Sequence, residues 1–227
     1  AGFLGSFGGG QELDLVHLSC LARCWSALPG AEPASENRAA MLERLADFRV
    51  AGQGYGNEVG DTAGNVYGCF MALGTCQDLG ASLPEAEEVA AFVESMRTED
   101  GGYANDTDMA VGTLPVTAAA VTLLRNLGRP VAPETERWLA RQRHASGGFL
   151  ATPDVPMPDL LSTATALHAL AGLQHPFDDL VEPCLDYIDT LWTNRGGFHG
   201  HWADDDLDCE YTFYGLLALG HLSIWTR

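Results

Sequence analysis

A glycine-plus-aromatic turn returns about every 46 to 49 positions along this chain of 227 residues: Gly54-Tyr55, Gly101-Gly102-Tyr103, Gly147-Gly148-Phe149 and Gly196-Gly197-Phe198, with Gly2-Phe3 as a candidate first copy. A fixed period of this size marks stacked supersecondary units, none of which can bury its apolar face alone. Counted from the aromatic residue, Leu124, Leu170 and Leu219 all fall 21 positions later, so three units stay in register without gaps.

Inside each unit an irregular polar stretch leads to a short helix that is apolar nearly all round, as in Thr117–Leu124 and Thr163–Leu170; such helices belong in the interior. A Gly or Pro break follows, as in Gly80 to Pro84 and Gly128-Arg129-Pro130, and then a more polar amphipathic helix. The spacing predicts these outer helices over Glu85 to Met96 and Glu134 to Gln142, with Pro84 and Pro133 at their starts, where a missing N–H costs nothing. Alternation of two helix types with short connections predicts an all-α fold, an α/α toroid of about five helix-pair repeats forming a single domain over residues 1–227. A solenoid of helix pairs has the same periodicity, so ring closure is an expectation. Five inner helices against about four outer ones mean either an unusual seam or a segment of a longer chain.

Hydrophobic residues make up 46% of the chain, ample for a core. No apolar run reaches the roughly 18 residues of a membrane span, and the start Ala1-Gly2-Phe3-Leu4 lacks a charged targeting region. The charge is −19, and all 12 basic residues are arginine, which argues against nucleic acid and anionic membrane surfaces as partners. Any anion site must therefore be local. Six cysteines are spread at no disulfide-like spacing, which places the chain in a reducing, cytoplasmic compartment.

Three stretches carry a family resemblance: Gly101-Gly102-Tyr103-Ala104-Asn105-Asp106, Pro158-Asp159-Leu160-Leu161-Ser162-Thr163-Ala164, and Asp208-Cys209-Glu210-Tyr211-Thr212-Phe213-Tyr214-Gly215. They resemble repeats of the superfamily that contains protein prenyltransferase β subunits and squalene–hopene-type terpenoid cyclases. Gly8-Gly9-Gly10 followed by Asp14-Leu15-Val16-His17 resembles an early β-subunit repeat. The resemblance implies catalytic residues at the starts of inner helices, an isoprenoid or other apolar small molecule as ligand and, for the transferases, a helical partner subunit.

In the prenyltransferases a zinc ion is held by Asp-x-Cys and by a His three positions after an Asp, and it activates an incoming thiol. The matching positions here are Asp208, Glu210 and His17, so the resemblance implies zinc or another divalent metal at those three residues, met across the seam of a closed ring. Glu210 stands where the family has cysteine, which favours a harder ion. The plainer reading makes Asp14 and Asp208 helix N-caps and His17 an interior histidine. His17, Cys20 and Cys24 also share one helical stripe.

Proton-initiated cyclases carry Asp-x-Asp-Asp in the same register, the central Asp donating a proton to an alkene. Asp159-Leu160-Leu161-Ser162 lacks the acids, whereas Asp208-Cys209-Glu210 places Glu210 at the donor position, with Asp204, Asp205 and Asp206 just before it. Five carboxylates within seven residues are expected to raise one another's pKa, which suits a general acid at Glu210, Asp208 or Asp206, or a metal site; a solvated acidic loop is the bland alternative. His199, His201, Trp202, Tyr211, Phe213 and Tyr214 surround this loop, and aromatic faces stabilise carbocations. Tyr211 matches a family tyrosine that contacts the prenyl diphosphate, with Arg195 or Arg143 as its positive companion; His201, Trp202 and Tyr214 complete the expected substrate contacts. A toroid that binds a lipid or peptide without catalysis is the remaining reading.

Overall fold

The computed structural model describes residues 1–225 and is almost wholly helical, with ten helices and four two-residue strands among them. The chain divides into two compact units, residues 1–96 with 105–108 and residues 97–104 with 109–227.

Unit 1 carries α1 (Gly2–Gly5), the inner helices α2 (Leu15–Ser26) and α4 (Val66–Asp78), the outer helices α3 (Ser35–Ala46) and α5 (Ala86–Ser95), and a hairpin of β1 (Arg49–Val50) and β2 (Gly54–Tyr55). Unit 2 carries the inner helices α6 (Leu114–Asn126), α8 (Leu160–Gly172) and α10 (Cys209–Trp225), the outer helices α7 (Pro133–Arg141) and α9 (Val181–Asp189), and a hairpin of β3 (Trp192–Thr193) and β4 (Gly197–Phe198). Inner helices pack side by side, α2 on α4, α6 on α8 and α8 on α10. The expected alternation of buried and amphipathic helices is thus what forms. Of the two outer helices the pattern predicts, α5 is shorter by one residue at each end, and α7 keeps the expected length one residue earlier. Pro133 opens α7 as expected, but Pro84 lies outside α5: Glu85, at φ 50°, takes the cap position with its carboxylate held by the Arg49 guanidinium.

Each repeat is closed by one set of contacts. The residue six before the turn aromatic pairs with it in antiparallel fashion, Arg49 with Tyr55, Arg97 with Tyr103, Arg143 with Phe149 and Trp192 with Phe198. Gly101, Gly147 and Gly196 have φ near +90°, where side chains are strained, and the next glycine leaves room for an outer-helix ring: a Cβ on Gly102 would come within 2.7 Å of Trp138, and one on Gly148 within 2.7 Å of Tyr187. Ten residues after the aromatic stands the N-cap of the inner helix, Asn65, Thr113, Asp159 or Asp208 in turn. Fourteen residues after it stands a hydroxyl that accepts the aromatic residue's N–H, Thr117 for Tyr103 at 2.9 Å and Thr163 for Phe149 at 3.0 Å.

Neighbouring repeats are stitched by the first N–H of an inner helix, which no intrahelical carbonyl can satisfy. Val66 donates to the Asn105 carbonyl, Leu114 to Ala151 and Leu160 to Gly200, each at 2.8 Å. The acceptor is always two residues beyond the next turn aromatic. Eighteen residues after each aromatic an apolar side chain is buried, Leu73, Val121 and Leu167 being at most 5% exposed, whereas Leu216 on α10 is 61% exposed. It borders a cavity of about 590 Å³ with Leu185, Ile188, Trp192 and Phe198.

Candidate functional site

The residues singled out at the last repeat lie where the loop 199–208 delivers the chain into α10. Asp208 is the N-cap: its Oδ1 accepts the Tyr211 N–H at 2.8 Å, and its carbonyl accepts the Thr212 hydroxyl at 2.8 Å. Aspartate is favoured there because it satisfies an orphan N–H at the positive end of the helix dipole. Cys209 and Glu210 occupy the first turn, both exposed.

The preceding loop is folded around Asp204. Its carboxylate accepts the Gly200 N–H at 2.9 Å and the Asp206 N–H at 3.0 Å, while the Asp206 carbonyl meets His199 Nδ1 at 2.9 Å. These backbone N–H bonds, from Gly200 first and Asp206 second, hold the Asp204 carboxyl below its ordinary value, with His201 and His199 adding to the effect. The expectation that crowding raises the loop carboxyls is therefore corrected for Asp204: donated hydrogen bonds to the charged form outweigh repulsion between well-solvated neighbours.

Tyr211 is the group pushed upward. Its ring sits against Gly200, where any side chain would collide with it, and burial followed by the charges of Asp159, Asp204, Glu210 and Asp208 raises its phenol pKa. Asp159 belongs to this set although it caps the neighbouring helix α8, through Ser162, at 2.7 Å to both N–H and hydroxyl. Gly200 ties the arrangement together, since its carbonyl receives the first N–H of α8. The α10 entrance is thus a tyrosine ringed by carboxylates from two adjacent helix starts and one loop.

The aromatic cluster divides. Trp202 turns to the outer layer, its ring 5.5 Å from Tyr187 in a T-shaped contact and its Nε1–H donating to Thr190 Oγ1 at 2.8 Å, so it pins the loop to α9. His201 accepts the Ala203 N–H at 3.2 Å. Tyr214 stays on α10, edge-on to Phe213 at 5.4 Å. Arg195 is exposed at the β3–β4 turn, where its backbone N–H is bonded to Thr193, and Arg143 is committed to Asp179 at 3.0 Å.

Between α8 and α10 runs a partly exposed face. Leu161, Thr165 and His168 recur at helical spacing on α8, as do Glu210, Tyr214, Leu217 and His221 on α10, with Thr122 contributed by α6. The hydroxyls of Thr122 and Thr165 bond back to Ala118 and Leu161 at 2.8 Å, leaving mostly hydrocarbon on the face.

A family profile described as the prenyltransferase alpha-alpha toroid domain matches residues 5–141 and again 116–227. The chain belongs to this family. Among solved structures, it is similar to the type II terpene cyclase MstE from Scytonema without ligand, at 17% identity and TM-score 0.68, over 90% of this chain and 61% of that one. A variant of the same cyclase with one aspartate replaced by asparagine, in complex with geranylgeranyl dihydroxybenzoate, aligns at 16% identity, 89% and 61% coverage and TM-score 0.66. Candida albicans protein geranylgeranyltransferase-I complexed with GGPP aligns at 19% identity, 93% and 65% coverage and TM-score 0.64. The chain spans about three fifths of the length of these structures, and at such identities the likeness is one of fold. No curated protein matches it by sequence.

His17 lies in the other unit of this toroid-family chain. Asp14 caps α2 through the His17 N–H and also holds His17 Nδ1 at 2.8 Å, and the backbone bond first, then the side-chain bond, lower the Asp14 pKa. His17, Cys20 and Cys24 do share a stripe, which lines a cavity of about 160 Å³ with Phe3, Leu4, Phe7, Leu13 and Leu21. Among the described residues no three His, Cys, Asp or Glu side chains are grouped as a metal ion requires. All six cysteines are free, Cys69, Cys76 and Cys184 buried and Cys20, Cys24 and Cys209 exposed. No helix is long and apolar enough to cross a membrane among the described residues.

Sequence reasoning passed over Asp159 and Gly200 as parts of the α10 entrance. The signal for Asp159 was available, because it occupies the cap position of Asp208 one repeat earlier.

Proposed function

We propose that this chain is an isoprenoid-processing enzyme whose apolar ligand lies along the face of α8 and α10 and whose reactive end reaches the carboxylates at the α10 entrance. The observation that carries this reading is the concentration of Asp159, Asp204, Asp208 and Glu210 around Tyr211, at the end of a face bearing Leu161, Thr165, Tyr214 and Leu217. Such an entrance repels a bare diphosphate and favours proton transfer.

Asp204 is occupied by two loop N–H groups and Asp208 by the Tyr211 N–H, whereas Glu210 is exposed in the first turn, next to Tyr211. Glu210 is therefore the general acid of this proposal. Its proton adds to a terminal alkene carbon, the π pair forms the new C–H bond, and the resulting tertiary cation is drawn to the faces of Tyr214 and Phe213. Ring closure consumes a further alkene, and loss of a proton to water or to the Glu210 carboxylate ends the sequence, so the net reaction is an isomerisation. Asp206, on the exposed rim of the same loop, is the proton's route back to Glu210.

A transferase reading has its own support. Asp14 fixing His17 Nδ1 is the contact by which proteins orient a metal-binding imidazole, leaving Nε2 to face outward. That reading adds zinc or another divalent ion with His17 as a ligand, and a helical partner subunit. The free cysteines suit a reducing compartment such as the cytoplasm in either case.

The test is incubation of the purified protein with geranylgeranyl diphosphate and with a prenylated dihydroxybenzoate, followed by mass spectrometry and elemental analysis. Cyclised isomers lost in Glu210→Gln support the proposal. Release of diphosphate dependent on a bound metal, lost in His17→Ala, replaces it with the transferase reading, and saturable binding without turnover reduces the chain to a binding module.

A further inference from the structure

The face that begins at Glu210 ends on basic groups from three consecutive inner helices: Arg125 of α6, His168 of α8 and His221 of α10. His168 Nδ1 lies 3.0 Å from His221 Nε2, with the rings 5.1 Å apart at 61°. The Arg125 guanidinium lies over Gly172 of α8, where a side chain would collide with it. The spacing of the sequence does not reveal this meeting, since His168 and His221 stand at different positions of their repeats.

Arg23, Arg44, Arg49, Arg137 and Arg143 are each paired with a carboxylate, in a chain of 31 acidic and 12 basic residues. Among the described residues Arg125 has no such pair; its charge acts on His168, and His168 in turn acts on His221. A guanidinium without a carboxylate partner beside two imidazoles suits an anion, because oxyanions form charge-assisted bonds with guanidinium and accept hydrogen bonds from imidazole N–H groups.

We propose that Arg125, His168 and His221 form an oxyanion-binding subsite for the phosphate or carboxylate head of an apolar ligand. From Glu210 to His221 α10 rises about 16 Å, the reach of a short prenyl chain, and Leu217 and Thr165 lie between. The head is held at the basic end and the tail directed to Glu210. The tail's placement rests on the reading above; the anion subsite does not.

The test is calorimetric titration of the protein with farnesyl phosphate, farnesol and inorganic phosphate, with the histidine ring protons followed by NMR. Farnesyl phosphate is expected to bind about tenfold or more tightly than farnesol, and phosphate alone to shift the His168 and His221 resonances. Arg125→Gln, whose side chain is exposed, removes both effects and leaves farnesol binding unchanged, while Arg125→Lys retains most of the gain. Equal affinity for farnesyl phosphate in wild type and Arg125→Gln overturns the subsite. Phosphate shifts that depend on Arg125 in a protein indifferent to farnesol uphold the subsite and overturn the isoprenoid reading instead.

Discussion

Phe149 and Thr163 are joined by an amide-to-hydroxyl hydrogen bond of 3.0 Å, and the same hydroxyl donates to the Asp159 carbonyl at 2.7 Å. Both residues are fully buried. One side chain thus fixes the turn, the cap and the inner helix of its repeat, and Thr117 does the same for the Tyr103 N–H. Thr163→Val keeps the shape and strands a buried N–H, so it is expected to destabilise the protein by about 1–3 kcal/mol. Urea unfolding measures this, and a change below a few tenths of a kcal/mol would mean that the turn is held by glycine packing alone.

The turn glycines make a second, separable prediction. Gly148→Ala drives a methyl against Tyr187 at 2.7 Å and Pro158 at 2.8 Å, whereas Gly128, at φ +70°, has open space around it. Overpacking costs about 1–3 kcal/mol, and the left-handed backbone alone about 1–2 kcal/mol. Gly148→Ala should therefore lower the melting temperature by at least as much as Gly128→Ala, and Tyr187→Ala should relieve the former alone. Relief of both by Tyr187→Ala would contradict the assignment of cause.

Much of the architecture is legible in the sequence because one repeat writes it several times. Gly147-Gly148-Phe149 and its counterparts announce the turn, and Leu124, Leu170 and Leu219 announce the inner helices. Less legible are features set by contacts between repeats. Glu85 takes a left-handed cap because Arg49, 36 residues earlier, holds its carboxylate, which no local pattern displays. Trp202 reads as a cavity aromatic from composition, yet Tyr187 and Thr190 draw it outward. The His168–His221 contact joins positions 53 residues apart. The lowered Asp204 depends on two N–H groups whose direction is a property of the folded loop.

Asp208 and Glu210 should separate stability from chemistry. Asp208→Ala removes the α10 cap and is expected to cost about 0.5–2 kcal/mol, while Asp208→Asn retains the acceptor for the Tyr211 N–H and most of the stability. Glu210→Gln leaves the fold unchanged within about 0.5 kcal/mol and, under the proposed function, abolishes turnover of an isoprenoid substrate. Thermal melts beside product assays check the pair. Full activity in Glu210→Gln would move the general acid elsewhere in the loop.

The histidine pair gives stability a pH dependence whose sign is fixed. Burial first, then Arg125, lowers the His168 pKa from its ordinary 6.5; burial first, then His168, lowers that of His221. A base with a lowered folded pKa binds fewer protons than the unfolded chain does in the window between the two values. Their contribution is therefore full above about pH 6.5 and is lost as the pH falls from there towards the folded values. Asp14 and Asp204, whose pKa values are lowered from the ordinary 3.8, begin to lose theirs only near and below that value. Acidification from about pH 7.5 to about pH 5.5 should lower the melting temperature, and His168→Gln with His221→Gln should flatten the curve. Inorganic phosphate should flatten it too, by stabilising the protonated imidazoles of the folded state. The same pH dependence in wild type and in the double variant would show that these rings do not carry it.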